Sequence, residues 1–553
     1  MNYRIINHRI EVEDPNDGKY CDFCQELAVT CVIVSLLNKN WVARVKVYTD
    51  LEPVIVEFPC EKINRTLLPT LIGYGLTIID TPTHAEIIMQ ILMEGVENAT
   101  CVYQHDALGF RMIDNELVFL AHKPIGCTNT KKAQSEFKRP EITAPKHDFA
   151  SWKKFVEADV IGHKCMELAL TLGAAAPVAH LLREAQVLTL VPIWALIGES
   201  STGKTTALKL MASIWGSPSI IANLNATQNA FYGQLSDKYG LPALIDETSS
   251  MPDWDFTKVL YHLPEGRSKL RCDSSGKVVD PYFYSGAIVF TGERSLFEQT
   301  NGNTGLVARL IEFQLPWTDD ANHAQRLNTG CGEYYGTAVY PLMEWLLRNK
   351  EKLPGWYRDL YEKIKSKFSE LSGVEDRLIK TYTLILLTAC VLRSALGLNI
   401  KRKAMIKTLI DLHYSNPRIA QRTDMLYERL KFQILQNRSK FPTGEGAPYA
   451  SAVWGERGLY QGRNVVWIHE HIFEKFLRDA GMSDSKTARQ QLFNDGRLVR
   501  TKDRHYGIPH KLGGIQVKCF GLFVDANFGN RTRSVPSYAM VKNLLEEEED
   551  DDQ

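Results

Sequence analysis

The sequence predicts an α/β core carried between two smaller units, and three stretches point to this. In the middle, the apolar run VLTLVPIWALIG reads as a buried strand that passes through a glycine-rich loop into a helix, TTALKLMASIWG, stopped by Gly216 and Pro218. Ahead of it, residues 1–127 mix strand-like runs such as WVARVKVYTD and PVIVEF with one helical pattern, THAEIIMQILMEGV, as in an α+β unit. Behind it, helices IHEHIFEKFLRDAG and DSKTARQQLFNDG, the second with Ser483 as its N-cap, precede strands around RLVRTKD and IQVKCFGLFV. That is the order of a winged helix, or else of a lid or an oligomerisation module.

The divisions follow from changes of pattern. Residues 128–149 lose their apolar period and become basic and proline-punctuated, as an exposed linker would. The core with its helical lid takes residues 150–400, a basic helical connector 401–464, and the winged-helix-like unit 465–530. The end, 531–553, contains EEEEDDD from Glu546 to Asp552 and reads as a disordered acidic tail.

A chain of 553 residues, 44% hydrophobic and 10% aromatic, has the composition of a folded globular protein with several cores. Lys plus Arg and Asp plus Glu both total 65, so any basic surface must be local. Eleven scattered cysteines suit reduced thiols in a cytoplasm better than a disulfide framework. Cys21 and Cys24 form C-x-x-C near Cys31, which reads either as part of a zinc site or as inert thiols; Cys60, the next cysteine, brings no second pair. The N-terminus carries charges where a signal peptide needs an apolar core. The apolar stretch 168–182 contains His180 and falls short of the ~18 residues of a membrane span. The expectation is a protein neither exported nor anchored.

Gly198, Glu199, Ser200, Ser201, Thr202, Gly203, Lys204 and Thr205 fit the phosphate-loop pattern G-x-x-x-x-G-K-[ST], in the strand–loop–helix context the pattern requires. Backbone N–H groups of the loop and first helical turn, through Thr206, present uncompensated donors to phosphate oxygens. Lys204 adds a point charge, and the Thr205 hydroxyl is a ligand for Mg²⁺. LPALIDETS reads as a buried strand ending in Asp246, which completes the Mg²⁺ shell, and Glu247, placed to polarise an attacking water. The alternative is that both carboxylates cap a turn. Two adjacent carboxylates favour hydrolysis of ATP over phosphate transfer to a small acceptor.

A third strand, GAIVFTGE, brings Thr291, which either senses the γ-phosphate and orients water or satisfies local backbone. In NTGLVARLIEFQL, Arg309 is either a salt-bridged structural residue or a finger reaching a neighbouring subunit's triphosphate. Between them, KLRCDSSGKVVD reads as a hairpin with Lys269, Arg271 and Lys277 near its tip, either merely solvated or touching nucleic-acid phosphates.

The run from Glu157 to Phe313, with GESSTGKTTALKLMASIWGSP, NATQNAFYGQLSDKYGLPALIDET, LPEGRSKLRCDSSGKV, FTGE and LVARLIEF, resembles a bacterial P-loop ATPase family long filed as a domain of unknown function. HDALGFRMIDNELVFLAHKPIG resembles the part that precedes the ATPase there, so the likeness covers about half the chain. The family includes helicases encoded by staphylococcal chromosome cassettes, which are similar to minichromosome maintenance (MCM) helicases in their AAA+ core. The resemblance implies an α/β AAA+ core and an ATP- and Mg²⁺-dependent, homohexameric DNA helicase, self-loading at an origin of a mobile element.

Position by position, Lys204 and Thr205 match the Walker A pair, and Asp246 and Glu247 the Walker B pair. Arg309 falls where the trans-acting finger lies, although flanked by Ala308 and Leu310 instead of the literal motif. Thr291 takes the sensor-1 place, where MCM helicases have asparagine. Arg377 is the sensor-2 candidate, with Arg393 competing, and Lys269, Arg271 and Lys277 sit on the counterpart of the pre-sensor-1 hairpin. Other classes remain: a protein-remodelling AAA+ ATPase, for which the basic tip is unsuited, and a nucleotide-dependent defence switch, which would not need Glu247. No paired-aspartate strand of a primase appears in residues 1–127, and the H-x-H of His469 and His471 reads as surface histidine.

Overall fold

The computed structural model describes residues 2–38, 40–223, 227–247, 256–272, 275–299, 306, 308–366, 373–415, 423–443, 453–480, 485–499, 507–512 and 515–524. Ser483 and the acidic run Glu546 to Asp552 lie outside these residues.

The N-terminal residues form an antiparallel three-stranded sheet (Tyr3–Ile6, Arg9–Glu13, Tyr20–Gln25) and a five-stranded mixed sheet. In the latter, Trp41–Val47 pairs antiparallel with Leu27–Ser35 and with Val54–Pro59. Helix Pro82–Asn98, capped by the Thr81 hydroxyl, buries Ala85, Ile88, Ile91 and Leu92 against this sheet. The three- and four-residue spacing of these positions places them on one face.

The central sheet is parallel where the nucleotide motif lies. Its order is Ile311–Phe313, Ile193–Ile197, Ser285–Gly292, Tyr239–Asp246, with Ala222–Asn223 beyond. We call the second, third and fourth of these the loop strand, the threonine strand and the carboxylate strand. Every residue of the loop strand and the threonine strand is buried, which is why both read as unbroken apolar runs. Helix Lys164–Glu184 packs on the sheet and is buried around nearly its whole circumference. It and the segment Glu375–Leu396 are both apolar and long enough to cross a membrane, yet the first is wholly enclosed by the rest of the chain.

Three boundaries differ from the sequence expectation. The hairpin Gly109–Ile113 and Glu116–Leu120, expected in the N-terminal unit, extends the central sheet through Gly109 beside Tyr239, and Phe110 and Phe119 enter the central core. Residues 128–149, expected as an exposed linker, form a docked strap. Ser135 is buried against His105 at 2.9 Å, Phe137 is buried, and Ser217 N–H donates to Ile142 O at 2.9 Å. Gly216 admits this strap because any Cβ there would stand 2.3 Å from Ile142 O. The expected connector splits in two. In helix Arg402–Ser415, Met405, Ile406 and Leu409 join the central core, whereas Leu426, Tyr427, Leu430 and Ile434 of helix Thr423–Gln436 join the C-terminal one.

The C-terminal unit accordingly runs helix Thr423–Gln436, strands Gly455–Tyr460 and Arg463–His469, helices Glu470–Asp479 and Ser485–Asn494, and strands Ile508–Leu512 and Ile515–Phe523. Arg463–His469 and Ile508–Leu512 flank Ile515–Phe523 on either side. Strand character expected around RLVRTKD is confined, among the described residues, to a single bridge at Leu498.

Candidate nucleotide site

The loop strand delivers the chain into residues 198–203, where Gly198 N–H still donates to Gly292 O of the threonine strand at 3.2 Å and the backbone then turns sharply. Ser201 has φ +65° and Gly203 φ +87°, the left-handed region. At Gly203 a side chain is excluded twice over, because a Cβ would also lie 2.7 Å from the Thr318 side chain and 2.9 Å from its backbone nitrogen. Helix Lys204–Ser213 begins at once, so its free N-terminal N–H groups face the loop cavity.

Lys204 Nζ donates to Gly198 O at 2.7 Å and Glu199 O at 2.6 Å, and lies 3.4 Å from Thr202 Oγ1. The stem of Lys204 is buried and its ammonium held at the mouth of the loop. The Thr202 hydroxyl donates to Glu199 O at 2.9 Å, and Ser200 donates a short bond to Glu293. From beyond the edge strand, Trp317 N–H donates to Thr202 O at 2.9 Å and Thr318 presses on Gly203, so residues 317–318 form a strap across the loop.

The threonine strand lies between the loop strand and the carboxylate strand, and its Thr291 is 1% exposed. Its hydroxyl donates to Asp246 Oδ1 at 2.6 Å and accepts from Glu247 N–H at 2.9 Å. Asp246 Oδ1 also accepts from Thr205 Oγ1 at 3.2 Å. Glu247 has φ +60°, a conformation uncommon for a residue with a side chain, at the point where it leaves the sheet. One buried hydroxyl thereby fixes the carboxylate beside Thr205 and the backbone that aims the next carboxylate. Oxygen donors from a threonine and an aspartate are the ligands Mg²⁺ prefers.

The remaining sequence candidates fall in different places. Thr206 is buried and accepts from Asn328 Nδ2 at 3.1 Å, tying the loop helix to helix Ala321–Glu333, the lid helix. Arg309 precedes the edge strand, whose Ile311 is level with Trp194 of the loop strand, placing Arg309 at the end of the sheet opposite the loop. Ile311 itself stands about 13 Å along the sheet from Gly198 by the strand rise, and Arg309 lies in a turn before it. Its side chain is half-buried and stacks 4.8 Å over Tyr261 of helix Phe256–His262. Arg377 is exposed near the start of helix Gly373–Leu396, and Arg393 is half-buried near its end.

Lys269 and Lys277 are exposed on a hairpin in which Arg271–Cys272 pairs antiparallel with Val278–Val279. The Arg271 side chain lies outside the described residues. Leu270 and Val278 on the same hairpin are 71% and 62% exposed, an apolar component that spacing did not reveal. Elsewhere, Cys24 is buried and its thiol pushed up to about 12 by burial, while Cys21 is exposed. His469, expected on a helix surface, caps helix Glu470–Asp479 by accepting from His471 N–H.

Sequence reasoning missed Trp317, Thr318, Glu293 and Asn328. Glu293 closes the FTGE run two residues after Thr291, so its signal is local. The others approach the loop from more than a hundred residues away, without a local pattern.

Residues 8–281 match the model of a family described as a domain of unknown function, DUF927. No curated protein matches the chain. Among solved structures, SCCmec type IV Cch, an active helicase, is similar with a TM-score of 0.61 at 20% identity, covering 98% of both chains. At that identity the likeness shows a shared fold across the whole chain.

Proposed function

We propose that a phosphate loop and two adjacent carboxylates on one parallel sheet make this chain an ATP-driven DNA helicase of AAA+ type, working as a ring of identical copies, most simply six. The observation that carries the reading is the bonded chain Thr205, Asp246, Thr291, Glu247, an arrangement that suits a hydrolase. The loop N–H groups and Lys204 bind and orient the substrate's phosphates. Thr205 and Asp246 would hold Mg²⁺, which supplies charge neutralisation at the phosphates. Glu247 accepts the proton of the attacking water, held in place through its backbone bond to Thr291.

Arg309 supports the oligomer. Its position before the edge strand, toward the end of the sheet away from the loop, suits action on the next copy's substrate better than on its own. Lys269 and Lys277 on the projecting hairpin suit contacts with DNA phosphates, and the C-terminal order of helices and strands suits a winged helix binding duplex DNA. Arg377 remains the sensor-2 candidate, reaching a site from the lid. Likeness in fold to SCCmec type IV Cch, an active helicase, supports the helicase reading, and a replicative, self-loading role for a mobile element in the cytoplasm is the form in which we propose it. A second reading, a protein-remodelling ATPase, draws on Leu270 and Val278, which give the hairpin an apolar grip.

Comparing ATP hydrolysis with no addition, with single-stranded DNA, with duplex DNA and with unfolded protein separates the two. Stimulation by DNA alone is expected, and stimulation by unfolded protein alone refutes the helicase. Mixing Arg309→Ala with Lys204→Ala tests the shared site, because mixed rings should regain part of the activity that each variant lacks by itself.

A further inference from the structure

Two histidines and an aspartate converge next to residues 317–318, the strap that touches the phosphate loop. His163 precedes helix Lys164–Glu184, and Asp319 and His323 flank the start of the lid helix. His163 Nδ1 and Asp319 Oδ2 are 2.6 Å apart, Asp319 Oδ2 and His323 Nδ1 3.8 Å, and the three ligand atoms lie within 4.8 Å of one another. Ligands at the zinc bond lengths of ~2.0–2.2 Å stand ~3.4 Å apart at tetrahedral angles. The existing separations bracket that value, and Asp319, 63% exposed, can rotate to equalise them.

The surroundings favour a cation. The His323 side chain is 2% exposed, and its Nε2 donates to Asp159 O at 2.8 Å, leaving Nδ1 as the lone-pair nitrogen. A metal-binding histidine is oriented in this way, by giving its other N–H to a carbonyl. The Asp319 N–H reaches the same nitrogen at a long 3.3 Å, and this is the bond a cation would replace. The two imidazole rings lie 4.1 Å apart between centroids, so that both present a nitrogen to the same small volume as the Asp319 carboxylate. Asp320, which caps the lid helix, adds further negative charge.

We propose that His163, Asp319 and His323 form a zinc site with one position open to solvent. Bound there, zinc clamps the start of the lid helix to the turn before helix Lys164–Glu184. The clamp sits directly behind residues 317–318, which touch Thr202 and Gly203. The argument is independent of the helicase reading, since the ligands neither touch the loop nor contribute to hydrolysis.

The test uses the full chain, stripped by a chelator, reloaded with Zn²⁺ and titrated with a competing chromogenic chelator. Wild type is compared with His163→Gln, Asp319→Asn and His323→Ala. Any zinc held by the N-terminal cysteines is common to all four and cancels. Wild type should hold one equivalent more than each variant, or hold it at least tenfold more tightly, and zinc should raise the melting temperature of wild type alone. Should His323→Ala misfold, Asp319→Asn alters an exposed side chain and carries the test. Equal stoichiometry with affinities differing by less than tenfold between wild type and Asp319→Asn overturns the site and leaves a hydrogen-bonded latch.

Discussion

Replacing Thr291 by valine keeps the outline of the side chain and removes its oxygen. Two hydrogen bonds go, one to the carboxylate of Asp246 and one from the N–H of Glu247. A bond to a charged group contributes about 2 kcal/mol and a neutral one about 1 kcal/mol, so stability should fall by about 3 kcal/mol. The kinetic effect is separate. Freed from the hydroxyl, Asp246 and Glu247 need shift only about 1 Å for the rate to drop on the order of 100-fold. Lys204 and the loop are untouched, so KM for ATP should stay within about threefold. Steady-state phosphate release at saturating Mg²⁺ reads the kcat loss, and a urea titration reads the stability. Thr291→Ser, which retains the oxygen, should recover most of both. A valine variant that melts early but keeps kcat within threefold of wild type would refute the positioning role and leave Thr291 a packing residue.

Three further outcomes follow from other parts of the structure. Gly203→Ala should weaken nucleotide binding by an order of magnitude or more in a fluorescent-nucleotide titration, because its methyl group meets Thr318 at 2.7 Å and its φ is +87°; unchanged binding would show that the loop yields freely. Burial lowers the pKa values of His180 and His413 to about 4, whereas the unfolded chain protonates them near 6.5. Stability should therefore be full above pH 7 and fall as pH drops from about 6.5 to 4, on the order of 3 kcal/mol per histidine, and a urea midpoint flat over that window would contradict it. Lys269→Ala and Lys277→Ala should each reduce the slope of log affinity for DNA against log salt by about 1 if these lysines pair phosphates; an unchanged slope removes the hairpin from the interface.

What could be read from the sequence was whatever the chain encodes locally. The loop strand, glycine loop and helix are contiguous, so composition alone ordered them, and the basic hairpin announced itself by a Ser-Ser-Gly turn between strand-like arms. The chain positions of Asp246, Glu247 and Thr291 were legible, but the bond joining them depends on which strands lie side by side. The hairpin 109–120 was misassigned because its place in the central sheet rests on a single parallel pairing, Gly109 with Tyr239, from 130 residues away. The strap at 128–149 looked like a linker because, Phe137 apart, this polar, proline-broken sequence docks through the Ser135 hydroxyl and backbone groups, and these leave no hydrophobic signature. In helix Thr423–Gln436, Leu426, Leu430 and Ile434 recur at four-residue intervals, which marks an apolar face but not the core that covers it. His163 and the pair Asp319 and His323 lie more than 150 residues apart, and nothing in either neighbourhood calls for the other.

The two strands between Gly109 and Leu120 also decide where this protein can be cut. A shortened version starting after residue 127 would lose Phe110 and Phe119 from the interior, uncover Tyr239 on the sheet margin and leave His180 without its stacking partner. Anyone isolating the central sheet should begin no later than about His105, because the strands that complete its margin and fill its core lie ahead of residue 121.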